Sequence, residues 1–212
     1  MKKSILLGLM VLLLVGSVAE VYAQGNKKLD KAREREGKMV LKNLKNEGWK
    51  MNDVSRSLEV AILEHIEKLK SPGTQGISTT VRCTIMSNCD RVARNEAARK
   101  YAQQASSILR EGTRGDANLD QGNLDAEFAK EYTGYEILVQ KEMMNLIIPS
   151  YDVIRKAPNG EIEYKAFFTV NEDKASTARL KALEQSFKAT TAAQKYANEI
   201  ANYVKEGFKI SE

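Results

Sequence analysis

Two cysteines, Cys83 and Cys89, stand six positions apart in VRCTIMSNCD, and they are the only two in the chain. A structural zinc ion takes four Cys, His or carboxylate ligands, and here two cysteines and one distant histidine are on offer. A thioredoxin-like redox pair needs Cys-x-x-Cys, whereas five residues intervene. In an oxidising compartment the pair can form a staple. Cys83 sits near the end of a predicted strand and Cys89 at a predicted helix start, so the two can meet across the turn between them. Closing so short a loop is worth about 2.4 kcal/mol, less any strain. A structural disulfide is the expectation, and two buried thiols or a reactive pair are the alternatives.

His65 is the single histidine. Any Ser–His or Cys–His nucleophile has to use it. It lies on the apolar stripe of SRSLEVAILEHIEKL, which is the pattern of a packed histidine. The segment DANLDQGNLDAE places Asp116, Asn118, Asp120 and Glu127 at positions 1, 3, 5 and 12 of a calcium loop, the oxygen donors that Ca²⁺ takes. Its glycine, Gly122, is at position 7 instead of the turn position 6, and Asn123 replaces the usual apolar residue at position 8. A polar loop of ordinary composition is the competing reading. No phosphate-cradling glycine loop and no Gly-x-Ser-x-Gly elbow occurs. Two converging carboxylates would suit a hydrolase, but spacing alone names no pair.

The elements that must position these residues can be read from periodicity. Lys2 and Lys3 precede the apolar run Ile5 to Ala19, about 15 residues and short of the roughly 20 that span a bilayer. With Val21 and Ala23 at −3 and −1, residues 1–23 read as a signal peptide cleaved after Ala23. No lipid-attachment cysteine follows. Residues 24–212 then form a single domain, with no transmembrane segment in the mature chain. A charged helix spans Lys27 to Glu47 and stops at Gly48. GWKM is a short extended segment, and Ser55 or Ser57 caps the helix carrying Leu58, Ala61, Ile62, His65, Ile66 and Leu69. SPGTQG (71–76) is a turn. From 77 to 85, Ile77, Val81, Cys83 and Ile85 alternate with Ser78, Thr80, Arg82 and Thr84, as in a half-buried strand.

A helix starting from Ser87, Asn88 or Asp90 runs to about Arg110. Its inner face reads Val92, Ala97 or Ala98, Tyr101, Ala102, Ala105, Ile108 and Leu109, and its alanines would let it lie close to a sheet. A loop (111–124) and a helix from Asp125 to Asn145 follow, the latter with Phe128, Tyr132, Tyr135, Val139 and Met143 inward. LIIPSYDVIRK and EIEYKAFFTVN flank A-P-N-G and read as a hairpin whose inner face is Ile162, Tyr164, Ala166, Phe168 and Val170. Pro149 should sit near a strand start or an edge. Asn171 or Ser176 caps a C-terminal helical region to about Glu206, with a break at Thr190 and Thr191. The fold class is therefore α+β: one small antiparallel sheet of three to four strands, including the C-terminal-half hairpin, packed by several helices on one face or at its ends.

LKNEGWK ending at Lys50, SRSLEVAILEHIEKL, ARNEAARKYAQQASSIL and FFTVNED before a long helix together resemble a family of uncharacterised exported proteins of Gram-negative anaerobes. More distantly, the alanine-rich helix followed by a hairpin is similar to the domains of small envelope lipoproteins and flagellar-assembly proteins. The resemblance implies an envelope scaffold in place of an enzyme.

With 33 Lys and Arg against 28 Asp and Glu, the net charge is +5 and the signs are mixed. A nucleic-acid binder carries a clustered basic stripe, and the nearest candidate, KMVLKNLKNEGWK, reads as a solvated helix face. The expectation is an exported, non-catalytic envelope or surface protein, periplasmic or outer-surface associated, that acts by binding another envelope component. A calcium-responsive module using 116–127 and a small hydrolase using paired carboxylates are the rivals.

Overall fold

The computed structural model describes residues 30–115 and 128–187, together with Ala201 and Val204. The leader 1–23, the calcium-type loop residues Asp116, Asn118, Asp120 and Glu127, and the break at Thr190 and Thr191 lie outside them. The chain divides into two units, 1–47 and 48–212. In the first, helix α1 covers 30–46, with an ion pair of 3.9 Å between Arg33 and Asp30. The turn that ends α1 passes through Gly48 at φ 77°, the left-handed region that glycine enters without a Cβ clash.

The second unit runs β1 (Lys50–Met51), α2 (Leu58–Leu69), β2 (Thr74–Cys83), α3 (Met86–Gly115), α4 (Ala129–Met143), β3 (Ile148–Lys156), β4 (Ile162–Asn171) and α5 (Glu172–Phe187). Its four strands form one antiparallel sheet in the order β1-β3-β4-β2. The α+β expectation holds. Ser57 caps α2 by accepting a hydrogen bond from the Val60 amide at 3.3 Å. Asn171 caps α5 in the same way, through the Lys174 amide at 3.1 Å. The β3–β4 loop is a turn with Pro158 and Asn159 in its middle and Gly160 at φ 84°. The Gly160 amide bonds the Ala157 carbonyl at 2.9 Å, and the Ala157 amide bonds the Glu161 carbonyl at 2.8 Å. Glycine supplies the left-handed position, and asparagine stays at negative φ.

Alternation along β4 separates two faces. Tyr164, Ala166, Phe168 and Val170 join Ile77, Thr79, Val81 and Ile154 on the face covered by α3 and α5, with α4 packed onto those two helices. Helix α3 presents Cys89, Ala93, Ala97, Ala98, Ala102 and Ala105, all buried. Their small size lets the helix backbone reach the sheet, so the Thr79 hydroxyl donates to the Ala93 carbonyl at 3.1 Å. Phe128, Tyr132 and Phe187 close the far side with edge-on ring contacts of 5.4–6.1 Å.

Five expectations need correction. Strand β2 begins at Thr74, so the turn is confined to 71–73, with Gly73 at φ 67°. Ile85 lies past the strand end and is 58% exposed. Val92 is 41% exposed, and Cys89 and Ala93 take its place in the core. Helix α3 continues through Gly115 despite Gly112, because Thr113 is buried and its hydroxyl lies 2.7 Å from the Tyr132 hydroxyl. Packing against α4 there outweighs the propensity cost of about 1 kcal/mol per glycine. Finally, the helices do not share one side: α2 crosses the opposite face of the sheet.

Candidate binding surface

That opposite face carries Glu163, Lys165 and Phe167 of β4, flanked by Ser78, Thr80 and Arg82 of β2 and by Tyr151, Val153 and Arg155 of β3. At one end Tyr151 and Phe167 stack at 4.2 Å, and His65 from α2 meets both edge-on at 5.5 and 6.0 Å. Gly76 lies under this contact: a Cβ there would meet Leu69 at 3.4 Å and His65 Nε2 at 3.5 Å, ordinary van der Waals distances. Burial, with the nearby Lys68 charge adding to it, lowers the His65 pKa to about 4. Its Nδ1 has no hydrogen-bond partner among the described residues. The imidazole is therefore a neutral ring in an aromatic contact, as its place on the apolar stripe indicates.

Across the middle of the face, Trp49 is buried beneath the Arg155 guanidinium, 4.4 Å from the ring centre, and Lys165 lies 5.9 Å away. At the far end Glu163, 7% exposed, accepts from Arg82 Nη2 and Nε at 2.9 and 3.1 Å and from Arg155 Nε at 2.5 Å. These hydrogen bonds, Arg155 first, hold its carboxyl below the usual range. A general acid needs the opposite shift, so Glu163 is built to stay ionised and to lock neighbouring strands. The aromatic and charged side chains at the two ends of this face are thus engaged in contacts of their own.

The two margins of the sheet are not alike. On the β3 side, β1 pairs only with Val153 and Ile154, and the Asn52 amide adds a bond of 3.3 Å to the Asp152 carbonyl. Beyond it Pro149 offers no N–H, and a register shift falls between Pro149 and Tyr151. The Ser150 carbonyl inside that shift is taken by Arg56 Nη2 at 2.7 Å. Arg56 is in turn held by Glu64. Proline, an irregularity and a charged side chain are the devices that protect a strand edge from pairing.

The β2 margin has no proline and no register shift, and its one charged side chain, Arg82, is drawn back to Glu163. The Glu172 amide bonds the Gly73 carbonyl at 2.6 Å, so Gly73 turns its backbone groups toward β4. Alternation then points those of Gly76, Ser78, Thr80 and Arg82 outward. All four residues are exposed. No strand among the described residues pairs with this row. At its end, the sulfurs of Cys83 and Cys89 lie at disulfide distance with Cα atoms 5.8 Å apart, joining the last residue of β2 to the first turns of α3.

Sequence reasoning missed Arg179, which is fully buried. Its Nη2 lies 2.5 Å from Glu172 Oε1, its Nη1 donates to the Tyr101 hydroxyl, and Nε and Nη2 both reach the Val204 carbonyl, at 3.3 and 3.2 Å. The available signal was its place between Ala175 and Leu183 on the inward stripe of α5. Among the described residues no cluster of three or more His, Cys, Asp or Glu side chains is arranged to hold a metal, and no helix is long and apolar enough to cross a membrane. Comparison of the chain with protein-family profiles, with curated proteins and with solved structures returns no match.

Proposed function

We propose that this chain is an exported, non-catalytic binding module of the cell envelope or cell surface, and that its contact surface is the outer margin of β2. One observation carries the reading. A strand of ten residues turns outward a row of backbone donors and acceptors with which no strand among the described residues pairs, while the opposite margin is guarded by proline, a register shift and Arg56. An extended segment of a partner can add to such a row through main-chain hydrogen bonds, with alternate side chains supplying selectivity. Export rests on the leader pattern of residues 1–23 and on a cysteine pair suited to an oxidising compartment. The resemblance to exported proteins of Gram-negative anaerobes points the same way.

Site-specific photo-crosslinking in intact cells tests this. A crosslinking residue at Ser78 or Thr80 should yield protein adducts in the envelope fraction. The same residue at Val60, exposed on α2, should yield none. Equal yields from the three positions, or adducts from Val60 alone, would remove the assignment to the β2 margin.

A further inference from the structure

We propose that the strand received at the β2 margin is β2 of a second copy, paired antiparallel about a two-fold axis through Thr79, so that two four-stranded sheets become one. This rests on the reading of that margin as the contact surface, and it names the partner. An isologous contact must be complementary to itself, which restricts the residues that can face one another. With the axis at Thr79, Ser78 faces Thr80 of the other copy and Gly76 faces Arg82. Every one of these residues turns its N–H and C=O outward, so each facing pair can exchange both main-chain bonds. The longest side chain on the row stands opposite the residue with none. The row's only charge is Arg82, near one strand end, and antiparallel pairing sends the two Arg82 residues to opposite ends of the interface. No like charges are opposed, and no lysine, proline or register shift interrupts the row, although the same sheet carries such guards at its other margin.

The local packing also supports strand addition here. The side chains that would lie beside the new strand on the α2 face are Gly76, Ser78, Thr80 and Arg82, short until the last. The core-side residues Ile77 and Val81 are only partly buried, leaving apolar surface next to the margin. The Cys83–Cys89 pair holds the end of the strand against α3. The row is therefore presented as an edge anchored at one end in the unbound chain.

Sedimentation velocity across a dilution series tests the proposal with four proteins: wild type, Thr80→Lys, Thr80→Pro and Val60→Lys. The Thr80 amide points away from β4, so proline removes no bond of the native ladder, and lysine places two like charges beside the axis. The wild type and Val60→Lys should sediment as dimers at about 100 μM and dissociate on dilution, as a micromolar interaction does. Thr80→Lys and Thr80→Pro should stay monomeric with an unchanged circular dichroism spectrum. Should the proline variant lose that spectrum, the lysine variant decides alone. A wild type that is monomeric throughout overturns the self-pairing, as does a dimer that Thr80→Lys leaves intact. If Ser78 adducts to another protein persist when the purified wild type is monomeric, only the identity of the partner falls. If those adducts vanish too, the margin itself falls.

Discussion

At the scale of single residues, the chemistry-bearing side chains of this chain are mostly spent on holding it together. His65 shows how that use has a pH signature. Its pKa is lowered to about 4 by burial against Tyr151 and Phe167 and by Lys68, below its ordinary 6.5. The unfolded chain therefore takes up a proton first as pH falls. Stability contributed by the neutral ring is complete above about pH 6.5 and is lost as pH drops toward 4, by about 3 kcal/mol in all. Urea unfolding of the wild type and His65→Leu from pH 7.5 to 4 should show the wild type losing about that much more than the variant. Parallel curves would mean that the ring takes up its proton as readily in the fold as in the unfolded chain. The packed histidine was legible from its place on an apolar stripe. Arg179 was not: an arginine at helical spacing reads as a solvated side chain, and only the convergence of Glu172, two turns back on the same helix, with Tyr101 and Val204 from distant positions makes its burial tenable. The same holds for Glu163, whose two arginine partners come from separate strands.

At the scale of elements, local signals were followed where they were strong and overridden where packing was stronger. The alternation in β4, the Pro-Asn-Gly turn and the caps at Ser57 and Asn171 each work within a few residues, and each was readable. The extension of α3 past Gly112 was not, because its cause is a tyrosine on another helix. The alanine face of α3 has the sharpest energetic consequence. Ala93 is fully buried, and its carbonyl is within hydrogen-bonding distance of Thr79 on the sheet. Ala93→Leu must push helix and sheet apart, and overpacking of this kind costs roughly 1–3 kcal/mol, here with the Thr79 bond lost as well. Thermal melts should place this variant well below the wild type, whereas Val92→Leu, at an exposed position on the same helix, should melt within a degree or two. Equal melting of Ala93→Leu and the wild type would show that the helix does not seat against the sheet through this alanine.

At the scale of the whole molecule, what could not be read from the sequence is where each strand stands. Strand order decides that β4 is buried between β2 and β3, that α2 lies across from α3, and that the two margins differ. Nothing in TQGISTTVRC marks it as an edge, since its inward alternation would look the same in the middle of a sheet. The long central strand also sets how the backbone answers isotope exchange in heavy water. Amides along β4 are bonded on both sides and should exchange their protons for deuterium only when the sheet opens as a whole. In β2 the pattern should be a comb: Thr79 and Val81 slow, Ser78, Thr80 and Arg82 fast. Deuterium uptake followed residue by residue in dilute solution would show those teeth, and a uniformly slow β2 at high dilution would mean that its outward row is already occupied.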